Sequence, residues 1–263
     1  MDPRPVGVFD SGVGGLSVLR HLQRLAPRER VIYFADTACF PYGPRPAAEV
    51  RKRAFAVVQR LLESDVKLVV VACNTASAAA IADLRAVFPV PFVGVVPGVK
   101  PAASSSRSGR VAILATPGTL GGELYARVVD EFGAGTRIVN VPGHGLAELV
   151  ERGAAGSAVA RAAVREVLAR EIEAGADTVV LGCTHYHFLA GDIEAEFPGV
   201  TLVDTSGPVA RRAVQVLRDD GLEAPPGQRG ELDIIVSGDR AAFLAAMARL
   251  GFAGAPAPAE VGS

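Results

Sequence analysis

Three cysteines are all that the 263-residue chain contains, Cys39, Cys73 and Cys183, an odd and widely spaced set. So few exclude a disulfide framework and leave the side chains as reduced thiols. Neither sign of charge dominates: Lys+Arg 27 against Asp+Glu 28 gives a formal net charge of -1. A general attraction to nucleic acid or anionic lipid is therefore not expected. No apolar run is long enough to span a bilayer. A buried-strand pattern starts at Val6 without a basic leader and a long apolar segment, so a cytoplasmic location is expected. The Gly-Lys-Ser/Thr of a phosphate-binding loop is missing, and the glycine spacing does not fit a dinucleotide fingerprint. Neither a lysine-centred cofactor motif nor convergent metal ligands are apparent, which predicts chemistry with no cofactor and no metal.

What remains is an ordinary globular composition, 49% hydrophobic and 21% charged, enough for one large or two compact domains. Nine short β-branched runs, at 6–10, 31–36, 68–73, 92–96, 111–116, 137–141, 178–183, 201–204 and 232–237, read as buried strands. Helical patterns, at 47–63, 119–132, 157–173 and 240–250 among others, alternate with them. This order means α/β with mostly parallel sheets. Nine strands are many for a single sheet here, and the polar break Ser104-Ser105-Ser106-Arg107-Ser108-Gly109 follows a first set, so a second domain is placed from about Gly98. The Pro/Ala-rich tail at 254–259 is expected to be disordered.

Two segments echo one another. Leu68-Val69-Val70-Val71-Ala72-Cys73-Asn74-Thr75 and Thr178-Val179-Val180-Leu181-Gly182-Cys183-Thr184-His185 are each a buried strand, a small residue, a Cys and a polar turn into a helix. Ligands bind at the carboxyl ends of strands in open α/β sheets. One such end in each half predicts a pseudo-symmetric pair of domains facing one another across a cleft.

An isolated cysteine is usually packing. Cys73 and Cys183 differ because both lie at strand tips near helix N-termini, a setting that favours the thiolate; Cys39 lacks it and reads as incidental. Asp10-Ser11-Gly12-Val13-Gly14-Gly15 is a glycine-rich strand-to-helix turn, compatible with a small carboxylate or with a tight connection alone. Phe40-Pro41-Tyr42-Gly43-Pro44 reads as a rigid loop. In Ala115-Thr116-Pro117-Gly118-Thr119, Thr119 is assigned to helix capping. His185 and His187 invite a zinc reading, but no further ligands accompany them. Glu151 taken alone reads as an exposed helical carboxylate.

Taken together, these segments resemble glutamate racemase, of the aspartate/glutamate racemase superfamily. The resemblance runs through the Asp10–Gly15 turn, Pro41-Tyr42-Gly43, Ala72-Cys73-Asn74-Thr75-Ala76-Ser77, Ala115-Thr116 with Gly118-Thr119, Leu149-Val150-Glu151, Gly182-Cys183-Thr184-His185-Tyr186 and Ser237-Gly238-Asp239, nearly the whole chain in the family's order. It implies two doubly wound α/β domains with the active site between them, the first from 1–97 plus 208–263 and the second from 98–207. It implies interconversion of L- and D-glutamate for peptidoglycan without a cofactor, with Cys73 and Cys183 as the two bases and Asp10, Glu151 and His185 assisting them. Asp10, Ser11, Tyr42, Gly43, Asn74, Thr75, Thr184 and His185 would hold the substrate. The partner expected is the small-molecule substrate, with no nucleic acid and no membrane, and a homodimer is allowed. Two departures stand out: His187 replaces the family's usual proline, and Gly122 a common serine.

The chemistry has its own requirement. Racemisation removes a weakly acidic proton from one face of Cα and returns one to the other, so two groups within reach of opposite faces are needed. Donors at the α-carboxylate must stabilise the carbanion-like transition state. Three other readings use the same residues: an aspartate or broad-specificity racemase, a Cys/His hydrolase or transferase with one nucleophile, and a two-domain clamp that binds a small ligand without chemistry.

Overall fold

The structure, a computed structural model, describes residues 1–252; the tail at 254–259 lies outside the described residues. Nine strands form two sheets. The first contains β1 (Val6–Asp10), β2 (Val31–Ala35), β3 (Leu68–Val71), β4 (Phe92–Gly94) and, from the far end of the chain, β9 (Leu232–Val236), in the order β4-β3-β1-β2-β9. The second contains β5 (Arg110–Ala115), β6 (Arg137–Pro142), β7 (Thr178–Gly182) and β8 (Thr201–Val203), in the order β6-β5-β7-β8. Every pairing is parallel. The fold is therefore α/β with two parallel sheets.

The continuous apolar runs have a direct cause. Side chains alternate across a strand, and helices cover both faces of a parallel sheet, so neither face tolerates polar residues. In the first sheet Val8, Tyr33, Leu68 and Val70 enter one apolar cluster while Phe9, Phe34, Val69 and Val71 enter the other. In the second, Ala112, Leu114, Val179 and Leu181 face one side, and Val111, Ile113 and Val180 the opposite one. The first-named sets of both sheets belong to a single cluster, so the two halves share a continuous core. Helix Arg240–Arg249 extends that contact: its Arg249 Nη1 donates to the Arg152 carbonyl at 3.0 Å.

Two details depart from the sequence-based expectation. The helix expected over 119–132 is two helices, Pro117–Leu120 and Glu123–Phe132, broken at Gly121-Gly122. Gly122 is extended there, and a Cβ on it would lie 2.9 Å from Ala78 Cβ, so its small size permits close packing on helix Asn74–Val87. Thr119 is not the cap: Thr116 is, its Oγ1 accepting the Thr119 N–H at 3.3 Å. The reason is proline at the first helical position, which fixes the helix start immediately after Thr116.

At the end of the first sheet opposite the strand tip that leads to Cys73, Lys67 and Glu29 form a buried pair, Nζ to Oε2 2.6 Å. Lys67 also donates to the Asp2 carbonyl at 2.7 Å, and Glu29 Oε1 accepts the Ala224 N–H at 2.7 Å. Removing one partner strands a buried charge, whereas replacing both does not. Lys67→Met should therefore cost about 3–5 kcal/mol, and Lys67→Met with Glu29→Gln should recover much of that loss. Urea unfolding of the three proteins measures it.

Candidate active site

Strand tips and the turns after them build the site. β1 ends at Asp10, and its carboxylate organises the following turn: Gly12 N–H donates to Oδ1 at 2.9 Å. From the other half, Thr184 Oγ1 donates to Oδ2 at 3.0 Å. The turn's glycines are small because the second half presses on them. A Cβ at Gly12 would sit 1.8 Å from Glu151 Oε1, and one at Gly14 would sit 2.4 Å from Thr184 Oγ1 and 2.5 Å from His185 Nδ1. Glu151 Oε1 accepts the Val13 N–H at 2.7 Å and lies 2.7 Å from His185 Nε2. Glu151 is thus half-buried and bonded across the two halves, not the exposed carboxylate that its local sequence suggests; the partner it meets is 138 residues away.

A second set of contacts closes the other side. Gly118 N–H donates to the Gly43 carbonyl at 3.0 Å. The Thr75 and Thr116 hydroxyls meet at 2.8 Å, and Thr119 Oγ1 lies 3.0 Å from Thr116 Oγ1. Tyr42 is held from behind, its hydroxyl donating to Asp36 Oδ2 at 2.5 Å, an oxygen that also accepts from Arg53 Nε at 2.6 Å. Ser237, in the segment after β9, donates to Asp36 Oδ1 at 2.7 Å.

Between these contacts is a cavity of about 100 Å³. Ser11, Tyr42, Gly43, Cys73, Asn74, Thr75, Cys183, Thr184 and His185 all line it, and Asp10 and Glu151 do not. Those two carboxylates stand one layer back, Asp10 beneath the turn and Glu151 behind His185. Cys39 is likewise absent from the lining. The sequence reading missed Gly143, His144 and Glu148, which form part of the wall. They lie on a glycine-containing loop and the helix after it, where neither periodicity nor spacing distinguishes a wall from a connector; Gly145, at φ 75°, marks the turn. Thr116, which also lines the cavity, reads in the sequence only as part of the segment that starts the next helix.

The two thiols occupy equivalent places and different surroundings. Cys73 is two residues beyond β3 and caps helix Asn74–Val87, its Sγ accepting the Ala76 N–H at 3.5 Å. Burial pushes its thiol well above the ordinary value and the Asp10 charge adds to that, while the Ala76 N–H and the Ser11 hydroxyl oppose it. The helix N-terminus does not make Cys73 a thiolate here, contrary to the expectation from its position, because desolvation outweighs it. Cys183 is one residue beyond β7 and precedes the 3-10 turn Thr184–Leu189; its Sγ lies 3.8 Å from His185 Nδ1. Burial disfavours the His185 imidazolium, but the bonds to Cys183 and Glu151 carry its pKa well above the ordinary histidine value. Asp10 is raised as well, chiefly by burial. Both amide atoms of Asn74 are buried without a hydrogen-bond partner among the described residues, a condition that polar side chains rarely sustain without a ligand or water. His187 points away from the cavity, its Nδ1 3.1 Å from Asp204 Oδ1, and burial lowers its pKa.

Residues 6–213 match the Asp/Glu/hydantoin racemase family. The chain is 49% identical over 240 residues to the glutamate racemase of Deinococcus radiodurans, covering 90% of this chain and 83% of that one. It superposes on the glutamate racemase of Thermus thermophilus, solved in complex with β-chloro-D-alanine, with TM-score 0.86 at 40% identity, covering 99% and 98% of the two chains. The Escherichia coli glutamate racemase, solved with L-glutamate and the activator UDP-MurNAc-Ala, gives TM-score 0.82 at 35% identity over 95% and 96%.

Two measurements test the geometry. Gly12→Ala should displace Glu151 and lower stability by roughly 1–3 kcal/mol through lost buried hydrogen bonds. Gly191→Ala, where nothing lies within 4 Å of the added carbon, should stay within about 0.5 kcal/mol; equal effects in thermal unfolding would contradict the contact. His185, whose folded pKa is raised, contributes stability fully present below the unfolded value of about 6.5 and lost as pH rises through the folded value. The margin of the wild-type protein over His185→Asn should therefore be full below about pH 6.5 and shrink at higher pH, as read by urea unfolding from mildly acid into alkaline pH.

Proposed function

The chain belongs to the Asp/Glu/hydantoin racemase family, and we propose that it interconverts L- and D-glutamate by a two-base mechanism, supplying D-glutamate for peptidoglycan in the cytoplasm. The observation that carries this reading is that one cavity is lined by two buried thiols, each just past a strand tip, one in each sheet. A hydrolase with one nucleophile would leave the second thiol without a task.

In the proposed reaction glutamate lies with Cα between the two sulfurs. Asn74, Thr75 and Thr184 offer amide and hydroxyl groups to its carboxylates, and the unpartnered Asn74 amide would find its partners there. Donors fixed in a water-poor cavity stabilise the charge that develops as the α-proton leaves. Cys73 and Cys183 each serve one face, taking the proton on one side while the other returns one. His185, oriented by Glu151, is placed to pass protons to and from Cys183; Asp10 has the corresponding position toward Cys73 through its charge.

The two thiols start unequal. A neutral Cys73 is a proton donor, whereas Cys183 has His185 Nδ1 3.8 Å away to exchange protons with. That combination favours proton removal by Cys183 and return by Cys73, which by family resemblance is the direction from L- to D-glutamate. The arriving α-ammonium adds a positive charge within the cavity and thereby helps Cys73 to ionise for the reverse direction.

Replacing either thiol by serine should abolish racemisation, by at least about 100-fold, because serine is a far weaker base at neutral pH. Half of the chemistry should survive. With a glutamate analogue bearing a leaving group at Cβ, α-proton removal leads to elimination, and only the base facing that proton is required. Cys183→Ser should process the D-analogue and Cys73→Ser the L-analogue, each much faster than its mirror image. Equal rates for both enantiomers in both variants would contradict the assignment.

A further inference from the structure

Tyr42 separates the active cavity from a second one of about 210 Å³ on its outer side. Tyr42, Val50 and Ala56 supply apolar surface to this second cavity, and three cationic groups stand at its wall, Arg45 paired with Glu49, Arg53 with the buried Asp36, and Lys52. An apolar pocket with an excess of positive charge at its wall suits a small amphipathic anion: the body buries against the ring and alkyl stems, and the carboxylate meets the guanidinium groups. We propose that this cavity is a second ligand site, for a small carboxylate with an apolar body, whose carboxylate weakens substrate binding by loosening Tyr42. The coupling part rests on the active cavity being the glutamate site; the binding part does not.

Two connections make Tyr42 responsive. Arg53 Nε and the Tyr42 hydroxyl share one oxygen of Asp36, so a carboxylate that draws Arg53 outward removes a bond from the group that fixes Tyr42. Asp36 is buried, and burial opposes its charge; the bonds from Arg53, Ser237 and Tyr42 outweigh this and hold it below the usual carboxylate range. Its dependence on Arg53 is therefore strong. Arg45 acts on the other end of the segment, donating through Nε to the Pro41 carbonyl at 3.1 Å. The competing Arg45–Glu49 pair is partly exposed, with 34% and 51% of the side-chain surfaces accessible, and such pairs are weak enough to be exchanged for a ligand. A ligand carboxylate at these guanidinium groups thus pulls on both sides of Pro41-Tyr42-Gly43.

Cys39 is a half-buried part of the same lining and serves as a reporter of occupancy. Burial and the Asp36 charge push its thiol up, so alkylation by iodoacetamide is followed at alkaline pH, by peptide mass spectrometry that separates Cys39 from Cys73 and Cys183. The probe is benzoate, applied with L-glutamate saturating so that the active cavity is filled. Benzoate should slow Cys39 alkylation in the wild-type protein, and Lys52→Glu should lose most of that protection. In parallel, calorimetric titration should show L-glutamate binding about five-fold more weakly with benzoate present. Ala56→Trp, which fills the apolar part of the second cavity from an exposed helical position but offers no carboxylate to Arg45 or Arg53, should leave glutamate affinity unchanged and remove its response to benzoate. No protection of Cys39, or protection identical in Lys52→Glu, would overturn the site. An unchanged glutamate affinity, or a benzoate response surviving in Ala56→Trp, would overturn the coupling. Both readouts are independent of turnover, so failure of the racemase reading shows separately as no change in optical rotation.

Discussion

The closeness with which the turn at residues 10–15 meets Thr184, His185 and Glu151 is the constraint on which the site depends. Glu151 reaches both the Val13 N–H and His185 from one oxygen, and it does so through space that any side chain at position 12 would occupy. The same approach brings Thr184 to Asp10. If the turn stood further away, Glu151 would lose the Val13 N–H that helps to fix it behind His185, and Asp10 would lose the Thr184 hydroxyl. The shared apolar core beneath, built from both sheets, supplies the rigidity that holds this distance.

Electrostatics then differentiate two thiols that the backbone treats alike. Each follows a strand and precedes a helical turn, yet Cys73 faces a buried carboxyl while Cys183 faces an imidazolium. The first setting retains the thiol proton, and the second puts a proton-exchanging imidazole 3.8 Å from the sulfur. A reaction that takes a proton on one face and gives one on the other needs this kind of inequality at the start of each turnover, reversed at its end. The carboxylates of Asp10 and Glu151 stand behind the cavity lining rather than in it.

Much of this was legible in the sequence because it depends on local patterns. Continuous β-branched runs identify doubly covered strands, and the repeated strand–Cys–polar turn identifies both thiols as belonging to strand tips. What was hidden depends on long-range contact. Glu151 reads as a solvent-facing helical residue until Val13 and His185 are brought to it. His144 and Glu148 are wall residues only because a loop and the helix after it are brought against the cavity. The thiolate expected for Cys73 from its helix N-terminus fails because burial, which no local pattern reveals, is the larger effect. Thr116 takes the capping position expected of Thr119 since Pro117 sets where the helix begins.

Incubation of the protein with L-glutamate in deuterated water tests the central claim most directly, with optical rotation and α-deuteration followed together from the first turnovers. With a separate base on each face, the D-glutamate formed should carry solvent deuterium at Cα while the L-glutamate remaining early in the reaction retains its protium. Deuterium appearing equally in recovered L-glutamate at that stage, or binding of glutamate without any loss of optical activity, would contradict it.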